Sequence, residues 1–554
     1  MKRTILKLVF MLCCLTLGVM TNAQENAQGD LQGGNAPTAP DGYKRPQGYN
    51  PQHYRYSYSL NDLKEKFSVD QQKRAALRYD SVRKVIANGK WKGNLESLKT
   101  HTCPEWFQDM KFGMFIDWGL WSVPGWGIDP KNDRVPVYPD HYEEHMYWLP
   151  QTVKYHEKNW GKDFKRDDFI PFFTGKSYNP KELVDLAVKS GMKYVIPFAK
   201  HHSGFCLWPS SFTHRTVNKM VSPEKDFIKP IVDRCKEKNL KFGFYFSIED
   251  WEYPIIDENG NITNRQFGGK IVPYDSELET KASGKIPVKS FAKDYLVPQA
   301  TEFIDRYDPD ILWYDGDWGT EYNTLNVCDI SAYFYNQAEN RKEVAINDRY
   351  GLIGGKRLRP QAGDFKTSEY HNMKEELKQH PWEECRGISQ FYGYCWRETE
   401  KSVLSTNELL VQFLKIVSKG GNLLLIVNLD KDGALPEAQK RRMLDMGKWL
   451  KVNGEGIYGT RAYKTSSENN GKVYYTQSKD KKQVYAITVG WPGKELVLKS
   501  VSPKAGSEVY LLGYKKPLEW TVRNGKTIIT LPQKLDEQPG KRPCENAYTF
   551  RISQ

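Results

Sequence analysis

An acid stands at the end of a short apolar run, Ile311-Leu312-Trp313-Tyr314-Asp315, followed by Gly316-Asp317-Trp318. The run reads as a buried strand that stops at the carboxylate, and Gly316 then turns the backbone. In a barrel of parallel strands, side chains at the C-terminal strand ends face the substrate. A carboxylate walled by indoles suits sugar chemistry, because the sugar ring stacks on tryptophan while the carboxylate meets the anomeric carbon. Taken alone, the same aspartate also reads as a cap for the helix after the strand.

Other strand ends also present polar groups. Tyr194–Ala199 runs into Lys200-His201-His202-Ser203-Gly204, with Trp208 close behind. Two adjacent imidazoles supply two metal ligands at most, and no carboxylate follows at a metal-site spacing. Neutral imidazoles bonded to sugar hydroxyls fit equally well. Phe112–Trp118 ends in Asp117-Trp118, Val344–Asn347 in Asp348-Arg349, and a second carboxylate follows in Thr367-Ser368-Glu369-Tyr370-His371.

These residues need a scaffold that brings strand ends together. From about Trp106 to Ile457, apolar strands alternate with helical segments. The strand candidates are Phe112–Trp118, Tyr194–Ala199, Phe242–Ser247, Ile311–Asp315, Val344–Asn347, Ile388–Tyr392 and Leu423–Asn428; the helical ones include Pro180–Ser190, Lys225–Lys238, Tyr295–Tyr307 and Asn407–Ser418. Such alternation predicts an α/β fold, a (β/α)8-like TIM barrel rather than an open doubly wound sheet, since no Gly-rich phosphate loop follows any strand. After about Gly459, short alternating runs separated by Gly, Pro and Asn-Gly turns predict a C-terminal antiparallel β-sandwich. The organisation expected is a signal peptide over 1–23, a polar arm over 24–57, a helical segment over 58–105, the barrel over 106–458 and the sandwich over 459–554.

The leader reading rests on Lys2-Arg3, the apolar stretch Ile5–Met20 and a small residue, Ala23, before the cut. It predicts an exported protein, periplasmic or secreted, and no later segment is apolar enough to span a bilayer. Cys13 and Cys14 fall in the leader. The other seven cysteines, an odd number at wide spacings, fit neither a disulfide framework nor a zinc ribbon and read as buried thiols. A formal charge of +13 favours acidic partners. For an exported chain without a nucleic-acid motif, a sulfated or uronate-bearing glycan is a better candidate than nucleic acid, and a solvated lysine surface accounts for the surplus equally simply.

The motifs, in their order, resemble the α-L-fucosidases of glycoside hydrolase family 29. Seven carry the resemblance: Trp106-Phe107 with Lys111-Phe112-Gly113; Gly119-Leu120-Trp121-Ser122-Val123-Pro124; Lys200-His201-His202; Lys241-Phe242-Gly243-Phe244-Tyr245; Trp313-Tyr314-Asp315; Asn347-Asp348-Arg349; and Ser418-Lys419-Gly420-Gly421-Asn422 through Trp449-Leu450-Lys451-Val452-Asn453-Gly454. The resemblance implies an exo-acting, retaining hydrolase of terminal α-L-sugars, with Asp315 as nucleophile and Glu369 as general acid/base, and Glu383 of Trp382-Glu383-Glu384 as the other candidate for the second role. It further implies that Asp117, Trp118, Glu144, His145, His201, His202 and Trp313 hold the sugar and that Arg349 steadies a carboxylate or a sugar oxygen. No metal or organic cofactor is called for, since two carboxylates perform both proton transfers and the covalent step.

The chain also departs from the family pattern. Phe-Ile-His-Trp-Gly is here Phe115-Ile116-Asp117-Trp118-Gly119, His-His-Asp-Gly is His201-His202-Ser203-Gly204, and Tyr142-Glu143-Glu144-His145 stands where the family commonly has Glu-Trp. An imidazole replaced by a carboxylate turns a donor into a pure acceptor. That acceptor opens two alternatives to a fucosidase: an exo-α-L-galactosidase that reads the C6 hydroxyl of a sulfated galactan, and a catalytically silent glycan-binding protein on the same fold.

Overall fold

The computed structural model describes Thr38 and residues 63–554, apart from 129–136, 268–269, 274–283 and 371–379. The leader and the polar arm lie outside the described residues.

Eight parallel strands form one curled sheet: β1 (Phe112–Asp117), β2 (Tyr194–Lys200), β3 (Lys241–Ser247), β4 (Ile311–Asp315), β5 (Ala345–Ile346), β6 (Lys366–Glu369), β7 (Trp382–Gly387) and β8 (Asn422–Asn428). Their order is β6-β7-β8-β1-β2-β3-β4-β5. The parallel bridge Asn347–Phe365 and the hydrogen bond from Asp364 N to Ile346 O, 2.8 Å, tie β5 to β6. The expected barrel is therefore present, with a thin seam between those two strands. β1, β2, β4 and β8 are buried at every position, as strands covered on both faces must be.

Helices cover the outside: α1 (Ser68–Asn88), α2 (Pro180–Lys189), α3 (Lys229–Glu237), α4 (Val297–Tyr307), α5 (Val327–Ala338), α6 (Thr406–Val417) and α7 (Glu437–Asn453). Local sequence explains several of their ends. Ser405 and Glu408 form a reciprocal capping box at the start of α6, an arrangement whose cap alone contributes about 1 kcal/mol. Pro180, Pro230 and Pro298 sit in first turns, where a missing N–H costs nothing.

One strand differs from the expectation. Ile388–Tyr392 is not a strand; the chain pairs over Trp382–Gly387 instead, and Lys366–Glu369 precedes it as a strand that the hydropathy pattern does not reveal. Glu383, Glu384 and Arg386 make β7 look like a surface segment, yet the whole strand is buried. Beyond Gly459, a five-stranded and a three-stranded antiparallel sheet enclose a second core that includes Val473, Tyr475, Leu496, Ile529 and Phe550. Trp449 of α7 donates its indole hydrogen to Ala547 O at 2.8 Å, linking the two parts.

Candidate active site

The C-terminal ends of the barrel strands enclose a cavity of about 490 Å3, lined by Phe115, Tyr138, Asp140, His141, His145, Phe198, Tyr245, Trp313, Asp315, Trp318, Arg349, Glu369, Cys385, Tyr392 and Ile426. Asp315 reaches it because β4 ends there. Gly316 follows with φ +95°, and a Cβ at that position would lie 2.7 Å from Glu249 Cγ. The turn therefore requires glycine. Asp317 points elsewhere, into a two-pronged pair with Arg359 at 2.7 and 3.0 Å.

One guanidinium holds both candidate catalytic carboxylates. Arg349 Nη1 lies 2.6 Å from Asp315 Oδ1, and Nη2 bonds Glu369 Oε1. The guanidinium stacks over the Trp313 ring at 4.4 Å. Tyr245 donates its hydroxyl hydrogen to Asp315 Oδ2 at 2.8 Å. Burial works to raise the Asp315 carboxyl, but the Arg349 charge outweighs it and holds the group well below the usual carboxylate range. Asp315 is therefore a fixed anion, aimed at the cavity.

Glu383 is placed quite differently. It is fully buried beneath Trp313, accepting a hydrogen bond from Tyr194 Oη at 2.5 Å and another from Trp313 Nε1 at 2.9 Å. Burial raises its carboxyl to about 7, against those two hydrogen bonds. It buttresses the indole and does not line the cavity, whereas Glu369 does.

The sugar-holding candidates divide. His145, Trp313 and Arg349 line the cavity. His201 and His202 do not line it: His202 is buried behind Asp315, with Nε2 3.6 Å from Asp315 Oδ2, and His201 stacks against Phe198, 5.9 Å between centroids. Trp118 faces away: it is 2 % exposed, stacks on Tyr178 and donates to Asp430 O at 2.7 Å. Asp117 is fully buried, and its two oxygens accept from Trp121 Nε1 and Gly393 N, each at 2.9 Å. Glu144 is half-buried and lines no part of the cavity.

Reading the Tyr142–His145 segment as the sugar-facing piece misses its neighbours. Asp140 and His141, on the turn just before it, both line the cavity, as do Tyr138, Tyr245 and Tyr392. The signal was available in part, since Tyr245 ends the motif Lys241–Tyr245. Nothing in the run Pro139-Asp140-His141 marks which side chains turn inward. Asp140 is strongly affected by its position: burial, then the Asp315 charge, push its carboxyl up to about 8.

The chain is similar to known proteins over both of its parts. Residues 80–455 match the family model described as alpha-L-fucosidase, and residues 466–553 that of the alpha-L-fucosidase C-terminal domain. The chain is 29 % identical to the tissue alpha-L-fucosidase of Rattus norvegicus over 83 % of its length and 91 % of the relative's. It is 31 % identical to the plasma alpha-L-fucosidase of Homo sapiens, with 83 % and 91 % covered. Among solved structures, the Thermotoga maritima alpha-fucosidase in complex with a mechanism-based inhibitor superimposes with a TM-score of 0.68 at 31 % identity, over 84 % of this chain and all of that one.

Proposed function

The chain belongs to the α-L-fucosidase family, glycoside hydrolase family 29, and from that premise we propose that it removes terminal α-L-fucosyl residues from glycans by a retaining, double-displacement mechanism. The observation that carries the mechanism is the pairing of Asp315 and Glu369 on the single guanidinium of Arg349, at the floor of the cavity. Asp315 attacks C1 and forms a glycosyl ester while Glu369 protonates the departing glycosidic oxygen; Glu369 then takes a proton from water as that water attacks C1 and releases Asp315. Arg349 couples the steps. Its two Nη atoms contact one carboxylate each, so nucleophile and acid/base stay side by side on one planar fork through both displacements.

The alternatives gain nothing from the site. The galactoside reading rested on a free acceptor at Asp117, and both its oxygens are already bonded within the protein. The +13 charge suits a glycan carrying sulfate or uronate groups away from the sugar pocket, which rates on sulfated and desulfated substrates test. The leader-like N-terminus makes this an exported enzyme, periplasmic or secreted, which cell fractionation tests. Among the described residues no helix is long and apolar enough to cross a membrane.

Hydrolysis of aryl α-L-fucoside and aryl α-L-galactoside, side by side with the Asp315→Ala protein, tests the activity. Turnover of the fucoside by wild type alone is expected. Turnover of neither, or equal behaviour of wild type and variant, overturns the proposal.

A further inference from the structure

His201 and His202 stand together at the end of β2, and folding brings a third imidazole to them from the turn Pro139–His141. One ligand atom from each of His141, His201 and His202 lies within 4.8 Å of the other two. His201 Nδ1 is buried and has no hydrogen-bond partner among the described residues. The tautomer of His202 follows from its neighbours. Ser247 Oγ gives its one hydrogen to Glu249 O at 2.6 Å, so it must accept from His202 Nδ1–H at 2.7 Å. In the neutral ring His202 Nε2 is then a bare lone pair. It faces Asp315 Oδ2 at 3.6 Å and Tyr245 Oη at 3.3 Å, and the tyrosine hydrogen is already committed to Asp315. Acceptors aimed at one another call for a donor or a cation between them.

We propose that His141, His201 and His202 form a binding site for one divalent transition-metal ion of the zinc class, seated in the cavity beside Asp315. Three imidazoles with an open fourth position are a donor set that zinc takes readily, whereas magnesium and calcium prefer oxygen. Zn–N bonds of about 2.0–2.1 Å place tetrahedral ligand nitrogens roughly 3.4 Å apart, so nitrogens that lie within 4.8 Å must close by at most about 1.4 Å. His141, half-buried on a short turn, is the ring with room to supply that movement. The Asp315 carboxylate offsets the ion's charge. Ion and sugar would share the same space, so occupancy blocks hydrolysis; this last consequence, unlike the site itself, rests on the function proposed above.

His141 also groups with Glu144 and His145, so the variants must separate the two sets. Titration of the untagged full chain with Zn2+ by calorimetry, and with Co2+ by visible absorption, reads the site without any substrate. One ion per chain is expected, with affinity lower by about tenfold or more in His141→Phe and in His201→Asn, and within about twofold of wild type in His145→Phe. Circular dichroism establishes that the variants fold. Lack of saturable binding, affinity retained in His141→Phe, or an equal loss in His145→Phe overturns the site. Fucoside hydrolysis is assayed apart from the titration, so a protein that binds zinc without turning over substrate refutes the function and leaves the site standing.

Discussion

Arg349 Nη1 stands 2.6 Å from Asp315 Oδ1, and this buried ion pair sets the charge state of the cavity floor. Arg349 is 2 % exposed and its cation is reinforced by the carboxylates around it. Lysine would keep the charge but lose the fork that reaches Asp315 and Glu369 together. Arg349→Lys should lower kcat/KM by about 10²-fold or more, in line with the roughly 3–5 kcal/mol at stake when a buried pair is broken. The sign of the pH effect follows from Asp315: its depressed pKa keeps it ionised far into acid, so weakening the pair raises that pKa and moves the acid limb of the rate profile to higher pH. An unmoved acid limb would show that Arg349 does not control the nucleophile.

The two candidates for the general acid separate by substitution. Glu369→Gln should cost about 10²–10⁴-fold in kcat on substrates with poor leaving groups and much less on aryl fucosides with good ones. Glu383→Gln keeps an acceptor for Tyr194 or Trp313 and should leave kcat within about threefold of wild type, since it makes no contact with the cavity. The reverse ranking would exchange their roles.

Tyr245→Phe removes one hydrogen bond to the Asp315 anion and little volume. A bond to a charged group is worth about 1.5–3 kcal/mol, so a loss of roughly 10–150-fold in kcat/KM is expected. Steady-state kinetics with an aryl fucoside measures it, and a change under about threefold would mean that Asp315 is already satisfied by Arg349.

Asp140 predicts an alkaline effect. Its carboxyl, pushed up to about 8 by burial and by Asp315, holds a proton at neutral pH and can donate to a sugar hydroxyl. Above about 8 that donor is lost and KM should rise; Asp140→Asn, a donor at every pH, should flatten the rise. Stability follows the same sign. The folded state binds a proton that the unfolded chain releases near 3.8, so this group's contribution is complete in acid and lost as pH rises toward 8. Thermal unfolding of Asp140→Asn should therefore gain most over wild type near pH 9 and least near pH 4.

Much of this molecule was legible in the order of its residues. The apolar run ending at Asp315 is a strand with its carboxylate on the cavity, the strand–helix alternation is a curled parallel sheet, and the short runs after Gly459 are antiparallel sheets. Each depends on local pattern, which a strand or helix carries along its own length.

Tertiary structure alone decided which polar side chains converge. Glu369 and Glu383 are both strand carboxylates, yet one meets Arg349 and the other is claimed by Tyr194 and Trp313, partners 189 and 70 residues away. Trp118 and Asp117 follow one another at the end of β1, and both are engaged outside the cavity, by Asp430 in one case and by Trp121 and Gly393 in the other. Asp140 and His141 enter it from a turn with no periodicity to read. Hydropathy reports whether a residue is buried. It cannot report which distant hydrogen-bond partner makes burial of a charge tolerable, because that partner is supplied only when the sheet curls and strands remote in sequence come within bonding distance.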